Sequence, residues 1–181
     1  MAEVILRPAT LADAEALARL ARDSFVGAFG HLYSPEDLRA FLDEHRSAQR
    51  YRADLADPAK RVQVAEVDGA LAGYCLIVLG QGFAERPDPQ PRRPVFLSQL
   101  YCLPAMTGRA LGAALMDWAL AEARAWGADA VQLSVFSENP GAQRFYQRRG
   151  FRHVADIAFW VGNQRDAEFL YELALQAESG G

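Results

Sequence analysis

Apolar residues alternate with polar ones, or run together, in seven short segments, and the intervening segments repeat apolar residues at helical spacing. Segments of the first kind are typical of strands. Asp68-Gly69 between the second and third segments is a strong hairpin signal, and the polar turn NQRD joins the last two. The predicted strands are EVILRPAT, RVQVAEV, ALAGYCLIVLG, VFLSQLYCL, AVQLSVF, RHVADIAFWVG and AEFLYELAL.

Capping residues mark the starts of the predicted helices. Thr10 begins a helix that runs to about Gly30, and Ser34-Pro35 begins one broken or two consecutive helices that end before Pro58. Further helices follow over residues 108–126 and in NPGAQRFYQRRGF, residues 139–151. This order predicts one α/β domain over residues 1–181, a single mixed sheet flanked by helices.

The composition limits the classes of protein to which this chain can belong. The 181 residues are 51% hydrophobic and 23% charged, with a formal net charge of −4. That charge argues against a nucleic-acid surface and suits a small cationic ligand. Two cysteines, Cys75 and Cys102, are expected as reduced, buried thiols, and no metal site is predicted. MAEVILRPAT is not typical of a signal peptide, and no apolar run approaches the roughly 20 residues of a membrane span, so we expect a cytoplasmic protein.

The stretch CLPAMTGRALGAALM, residues 102–116, has two interpretations. Gly108 and Gly112 permit a tight turn before a helix whose first amides have no internal partner, so the turn can bind a pyrophosphate beside Arg109. It can equally be only a helix start. The proline-rich loop over residues 81–94 carries Arg92 and Arg93, for which solvation is favoured over binding of an anionic ligand.

The stretch NPGAQRFYQRRGF is a short helix with clear ends. Asn139 is a good N-cap, and Tyr146, seven residues later, projects from nearly the same face about 10 Å along the axis. The small Ala142 lies between them, and Phe145 is the expected core anchor. A phenol and a small residue therefore share one stripe, which core packing alone could also explain.

In this order and spacing the two motifs resemble the GCN5-related N-acetyltransferase (GNAT) superfamily, and the likeness covers nearly the whole chain. It implies a mixed, mostly antiparallel sheet. The family's pyrophosphate loop, Gln/Arg-x-x-Gly-x-Gly/Ala, maps to Thr107 through Gly112, with Thr107 and Ala110 as departures. Two stretches, YRADLADPAKRVQVAEVDGALAGY and FWVGNQRDAEFLYELAL, are similar to the bacterial branch that includes spermidine/spermine acetyltransferases. That branch tends to have a glutamate where this chain has Ser98.

The resemblance implies direct transfer of the acetyl group of acetyl-CoA to a small amine, polyamine-like acceptors coming first. Tyr146 would be the general acid toward the departing thiolate, and Cys102 is expected to be inert. Asn139 and the backbone of strand VFLSQLYCL would bind the pantetheine arm, and the first amides of the following helix would bind the pyrophosphate. The cofactor-binding residues so implied are Leu100, Tyr101, Cys102, Thr107, Gly108, Arg109, Ala110, Leu111, Gly112, Ala113 and Asn139.

Three questions stay open in the sequence. The base that deprotonates the amine could be a water chain or a carboxylate, although surface solvation is favoured for the candidates Glu66, Glu138, Asp37, Asp43 and Glu44. A structural role is also favoured for His31, and His45 and His153 look exposed. A coenzyme-A-binding sensor with little catalysis is the alternative function, and a nucleotide-phosphate-binding domain comes third. An exposed edge in the C-terminal hairpin is compatible with a homodimer.

Overall fold

A computed structural model describes residues 3–104 and 110–176. Its centre is a seven-stranded sheet of order β1-β2-β3-β4-β5-β7-β6. Neighbouring strands are antiparallel except β4 and β5, which are parallel. The strands are β1 (Val4–Pro8), β2 (Lys60–Val67), β3 (Ala70–Leu79), β4 (Pro94–Cys102), β5 (Ala130–Phe136), β6 (Arg152–Val161) and β7 (Gln164–Ala174). The α/β class and the mixed sheet predicted from the sequence are confirmed.

The helices cover both faces of the sheet. They are α1 (Ala14–Phe29), α2 (Pro35–His45), α3 (Ala48–Ala56), α4 (Leu111–Trp126) and α5 (Pro140–Arg148). The region after Pro35 forms two consecutive helices, because Ser47 caps a new one: its Oγ accepts a hydrogen bond from the Arg50 amide at 3.1 Å. No helix within the described ranges is long and apolar enough to cross a membrane.

Two apolar layers hold the helices against the sheet. Under α4 the core contains Leu115 and Met116, both 0% exposed, packed with residues of β5. Under α1 and α3 it contains Leu17 and Tyr51, packed on β2 and β3. Burying such a side chain contributes about 1.5–3 kcal/mol, so these layers fix where the ends of α1 and α4 lie relative to the strands.

A third, smaller cluster joins α1 and α2 to the C-terminal hairpin. Phe25, Phe41, Leu42 and Val161 are all buried there. The hairpin differs from its prediction: Val161 pairs with Gln164, so the turn is residues 162–163 and the predicted turn NQRD belongs mostly to β7. A two-residue turn suffices because Gly162 adopts a positive φ of 56°.

Gly162 also lets α2 approach the hairpin closely. A Cβ at this position would lie 2.3 Å from Asp37 Oδ1 and 2.7 Å from Asp37 Cα. The same Oδ1 accepts a hydrogen bond from the Asn163 amide at 2.9 Å. Helix α2 is therefore seated on a turn that has no room for a side chain.

We expect Gly162→Ala to destabilise the fold by about 2–3 kcal/mol. The alanine would have to adopt a left-handed backbone conformation, and its Cβ would overlap with Asp37. The midpoint of thermal unfolding should fall by about 4–12 °C for a chain of this size. The matched control is Gly69→Ala, where φ is 82° but nothing lies within 4 Å of the added Cβ. Equal losses in the two variants would refute the close approach of α2.

Candidate active site

Strands β4 and β5 pair only at one end. The parallel ladder joins residues 94–96 to residues 130–132 and then stops, while β4 continues beside β3 as far as Cys102. Beyond residue 96 the two strands therefore separate. The separation leaves a gap in the middle of the sheet, with strand backbone along its edge.

A bulge in β4 lies at the start of this gap. Leu76 pairs with Gln99 and Ile77 with Leu97, so Ser98 is an extra residue without a partner in β3. A bulge shifts the alternation of side chains, which places Gln99 on the α1 and α3 side of the sheet. There Gln99 Oε1 accepts hydrogen bonds from the hydroxyls of Tyr51 (2.7 Å) and Tyr74 (2.8 Å).

The backbone of β4 offers polar groups to the gap. The Leu103 amide donates to the Ala72 carbonyl of β3 at 2.8 Å. Because backbone groups alternate in direction along a strand, Tyr101 also directs its N–H and C=O to β3, whereas Leu100 and Cys102 direct theirs toward the gap. Of the three residues predicted to contact the cofactor through their backbone, Leu100 and Cys102 therefore direct these groups away from β3.

A cavity of about 530 Å³ occupies the gap and the space beside α1 and α2. Four of the predicted catalytic and cofactor-binding residues line it together: Leu100, Tyr101, Asn139 and Tyr146. Asn139 and Tyr146 thus reach one cavity from the same helix, as their spacing predicts. Much of the remaining lining is aromatic, including Phe25 and Phe41 from the small cluster.

Asn139 has a structural task that leaves part of its side chain free. Its Oδ1 accepts a hydrogen bond from the Ala142 amide at 3.1 Å and caps α5. Within the described ranges its amide NH₂ has no partner, so this group can still donate to a ligand.

Tyr146 presents an isolated phenol to the cavity. Its ring packs against Phe145 and Phe151, with centroids 5.4 and 5.8 Å away, and Phe145 is the partly buried anchor expected from the sequence. No other described residue hydrogen-bonds to the Tyr146 hydroxyl. Burial raises the pKa of this phenol well above its usual value, and the nearby Tyr101 adds to the effect.

The start of α4 is the predicted pyrophosphate turn. Thr107, Gly108 and Arg109 lie outside the described residues. Ala110 is the N-cap in a left-handed conformation, with φ of 60°, which costs an alanine about 1–2 kcal/mol. The family's glycine at this position is thereby explained.

The next three predicted residues have different surroundings. Leu111 is 3% exposed, so its side chain is part of the core. A Cβ on Gly112 would meet nothing within 4 Å. Ala113 follows in the first turn of α4. These residues begin α4, where the pyrophosphate hypothesis places the cofactor contacts.

Glu168 on β7 is a cavity residue that the sequence analysis missed. It pairs with Phe136 of β5 and lies on the face of the sheet that carries Ser134. Its Oε2 is sealed from solvent and has no hydrogen-bond partner. Burial, reinforced by the charge of Asp166, raises the pKa of Glu168 to about 7. Near neutral pH this carboxyl can therefore take up or release a proton.

A buried ion pair anchors the loop beside the cavity. Arg86 donates to both oxygens of Glu172, at 3.0 and 2.9 Å, and Gln132 donates to the same carboxylate at 2.8 Å. Although burial opposes its charge, these donors hold the pKa of Glu172 below the ordinary value. Gln132 Oε1 accepts from the Phe83 amide at 3.0 Å, which places Phe83 in the cavity wall.

The loop arginines noted in the sequence have structural roles. The amides of Arg92 and Arg93 donate to the Asp129 carboxylate, at 2.7 and 2.9 Å. The guanidinium carbon of Arg93 lies 3.8 Å from the centroid of a Trp126 ring. Neither arginine lines the cavity.

The carboxylates considered as a base from the sequence lie elsewhere, and none lines the cavity. Glu66 binds Arg7 at 2.8 Å, Asp43 binds Arg22 at 3.1 Å and Asp37 holds the hairpin turn. The other two, Glu44 and Glu138, are exposed.

The histidines also differ from expectation at one position. His31 and His153 are exposed and lie outside the cavity, whereas His45 lines it. His45 is half-buried rather than fully exposed, because its ring lies against the Phe41 ring, 5.0 Å away. Burial lowers the pKa of His45, so it is mostly neutral at pH 7.

Cys102 is half-buried, and burial raises the pKa of its thiol to about 11. It is therefore protonated at neutral pH and a poor nucleophile. No group of three His, Cys, Asp or Glu residues that could hold a metal ion occurs in the described part of the chain.

Known proteins of similar sequence place this cavity in a family. The model of the acetyltransferase (GNAT) family matches residues 15–151. An uncharacterised N-acetyltransferase of Mycobacterium tuberculosis is 34% identical over 160 residues, covering 88% of this chain and 96% of that protein. The aminoalkylphosphonate N-acetyltransferase of Salmonella typhimurium is 39% identical over 117 residues, covering 65% of this chain and 73% of that one.

Solved structures show the same fold. The PaiA N-acetyltransferase of Thermoplasma acidophilum in complex with coenzyme A superposes with a TM-score of 0.75 at 20% identity, covering 96% of this chain and 99% of that chain.

Proposed function

The chain belongs to the acetyltransferase (GNAT) family, and on that premise we propose that it transfers the acetyl group of acetyl-CoA directly to a small amine. It is an N-acetyltransferase by this membership. The observation that carries the proposal is the cavity at the separation of β4 and β5, where Tyr146 and Glu168 meet unpaired strand backbone.

The described residues fit acetyl-CoA. Free N–H and C=O groups of Leu100 and Cys102 would bind the amide groups of a pantetheine arm, together with the spare NH₂ of Asn139. The first amides of α4, which have no partner within the helix, would meet the pyrophosphate. When bound, acetyl-CoA supplies an acyl group activated as a thioester. Fixed backbone donors beside such a group stabilise the charge that develops on its oxygen.

Glu168 is the proposed base. An alkylammonium has a pKa of about 10.4, so the amine must lose a proton before it attacks. The gap of about 3 pKa units to the Glu168 carboxylate corresponds to about 4–5 kcal/mol for a solvated ammonium. Burial of the amine in the same cavity lowers its pKa and narrows this gap.

Tyr146 is the proposed acid toward the departing thiolate. From ordinary values, a phenol of pKa about 10 and a thiol of about 8.5, full proton transfer is uphill by roughly 2 kcal/mol. Burial raises the pKa of the Tyr146 phenol above this ordinary value, which makes full proton transfer to the thiolate costlier still. Tyr146 is therefore proposed to stabilise the departing thiolate by donating a hydrogen bond, rather than by transferring its proton completely.

The acceptor is proposed to be a small amine. The Salmonella relative is named for such a substrate, an aminoalkylphosphonate. The polyamine-type acceptor implied by the branch resemblance has less support in this cavity. The described lining residues include one carboxylate, that of Glu168, and two guanidinium groups, those of Arg46 and Arg50, so cationic groups outnumber the anionic one.

Thermal unfolding tests the donor. At 100 times its dissociation constant, acetyl-CoA should stabilise the native state by about 2.7 kcal/mol. The midpoint should then rise by about 5–10 °C for a chain of this size. ADP at the same concentration is the control and should shift it far less, because it lacks the pantetheine arm. An unchanged midpoint at millimolar acetyl-CoA would contradict the proposal. Amine-dependent release of the thiol then tests the transfer itself.

A further inference from the structure

A buried guanidinium without an ionic partner lies in the cavity wall. Arg46 follows α2 as its C-cap and is 7% exposed, yet it lines the cavity. The two rings beneath it, Phe41 and Phe25, have centroids 5.0 and 5.9 Å from its guanidinium carbon. No carboxylate of the described residues forms an ion pair with it.

The hydrogen bonds of Arg46 leave most of its donors free. Its Nη1 donates to the His45 carbonyl at 3.0 Å, and the Tyr101 phenol lies alongside. Its Nε is buried without a partner. A guanidinium carries five N–H donors and stays charged at any working pH. A charge removed from water in this way is costly unless an anion joins it.

The other arginine of the wall differs. Arg50 lies 3.5 Å from Asp54, and its side chain is 47% exposed, so its charge is both paired and solvated. Of the two arginines in the described part of the cavity wall, Arg46 is therefore the one whose charge is unpaired.

We infer that the acceptor amine carries an oxyanion, a carboxylate or a phosphonate, which Arg46 binds while the amino group faces Glu168. This inference rests on the proposed function. A planar guanidinium matches either oxyanion through two parallel hydrogen bonds. Arg46, Tyr101 and Glu168 all line the same cavity, so one small molecule can meet both charged groups there. An amine and an acid on one small molecule would satisfy both.

The experiment compares acceptors that differ only in the acid. β-Alanine is set against propylamine, and 2-aminoethylphosphonate against ethanolamine, with spermidine as the polyamine. We expect kcat/KM for at least one acidic amine to exceed its matched amine and spermidine by about 10–100-fold, the range of a hydrogen-bonded charge pair. A preference for β-alanine would indicate that Arg46 binds a carboxylate, and a preference for 2-aminoethylphosphonate would indicate a phosphonate. Equal or better use of propylamine, ethanolamine or spermidine overturns the inference while the acetyltransferase function stands.

Variants assign the effect to Arg46. Arg46→Gln should raise KM for the acidic amine about 10–100-fold and leave propylamine unchanged. Arg39→Gln, at an exposed position of α2 outside the cavity, is the control and should change neither. Arg46→Lys keeps the charge but not the paired donors, and should lie between. A uniform loss toward all amines would show that Arg46 is only structural.

A binding measurement keeps the two proposals separate. 2-Aminoethylphosphonate at 10 mM should raise the unfolding midpoint of the wild type, whereas ethanolamine should not, and Arg46→Gln or Arg46→Lys should reduce the shift. This readout needs no turnover, so it decides the role of Arg46 even if no amine is acetylated. Failure of acetyl-CoA itself to shift the midpoint would count against the proposed function instead.

Discussion

Glu168→Gln is expected to lower kcat/KM for the acceptor amine about 10²–10³-fold at pH 8, the size of a general-base contribution. The amide is nearly isosteric with the carboxyl but cannot accept the proton of the ammonium. Initial rates of thiol release with saturating acetyl-CoA measure the effect. The matched control is Glu138→Gln, which changes an exposed glutamate outside the cavity and should leave the rate unchanged.

The pH dependence identifies the proton acceptor. The carboxylate is the active form of Glu168, so kcat/KM of the wild type should rise with pH up to about 7 and then level off. In Glu168→Gln the reaction depends on amine that is already neutral in solution. Its rate should therefore keep rising toward the pKa of the amine, about 10.4, with no bend near 7. A bend near 7 in the variant would exclude Glu168 as the base.

Stability provides the second readout for the same variant. Because the pKa of Glu168 is raised from 4.5 to about 7, the folded state disfavours the ionised carboxyl. The resulting loss of stability is absent below about pH 4.5, grows between pH 4.5 and 7 and is complete above 7. Glu168→Gln should therefore unfold at a higher temperature than the wild type at pH 8, and the gain should vanish near pH 4. A variant that is less active yet more stable cannot have lost activity by unfolding.

The strands, most of the helices and the Asp68-Gly69 hairpin could be predicted because local patterns determine them, whereas the turn of the last hairpin was misplaced. Alternating apolar residues placed all seven strands, and caps at Ser34 and Asn139 placed helix starts within a residue. The shared face of Asn139 and Tyr146 followed from helical spacing, although the cavity in front of that face did not. These features depend on residues near each other in the chain.

The proposed base and the proposed anion site could not be predicted in this way. In AEFLYELAL, Glu168 is one of the polar residues of an alternating strand, and such residues usually face solvent. It faces a cavity because β5 and β4 separate beside it, which is a property of the sheet and not of β7. One signal did exist: Gln132 and Ser134 put polar residues on the same face of β5.

Arg46 was overlooked for a similar reason. An arginine at a helix C-terminus normally interacts with the helix dipole and solvent. Its burial depends on Phe25 of α1 and Phe41 of α2 closing over it. The bulge at Ser98 was equally invisible, because one extra residue in β4 leaves no mark on the apolar pattern until its register with β3 is known.

Tyr146→Phe is expected to lower kcat about 10²-fold, the lower end of a general-acid contribution, while acetyl-CoA binding changes less than about threefold. The hydroxyl has no hydrogen bond to any other described residue, so its removal leaves no donor or acceptor unpaired. The ring keeps its contacts with Phe145 and Phe151. Single-turnover rates, with dissociation constants from the acetyl-CoA-dependent unfolding midpoint, separate chemistry from binding.

A second phenol provides the control for this substitution. Tyr171, 2% exposed in the core, accepts a hydrogen bond from Gln147 Nε2 at 3.1 Å and does not line the cavity. Tyr171→Phe should cost about 1 kcal/mol of stability and leave kcat unchanged. If Tyr146→Phe turns over like the wild type, Tyr146 is not the acid, and the leaving thiolate must instead be stabilised by backbone donors or water. If it loses acetyl-CoA binding as strongly as kcat, the phenol contributes to binding of the donor rather than to the transfer step.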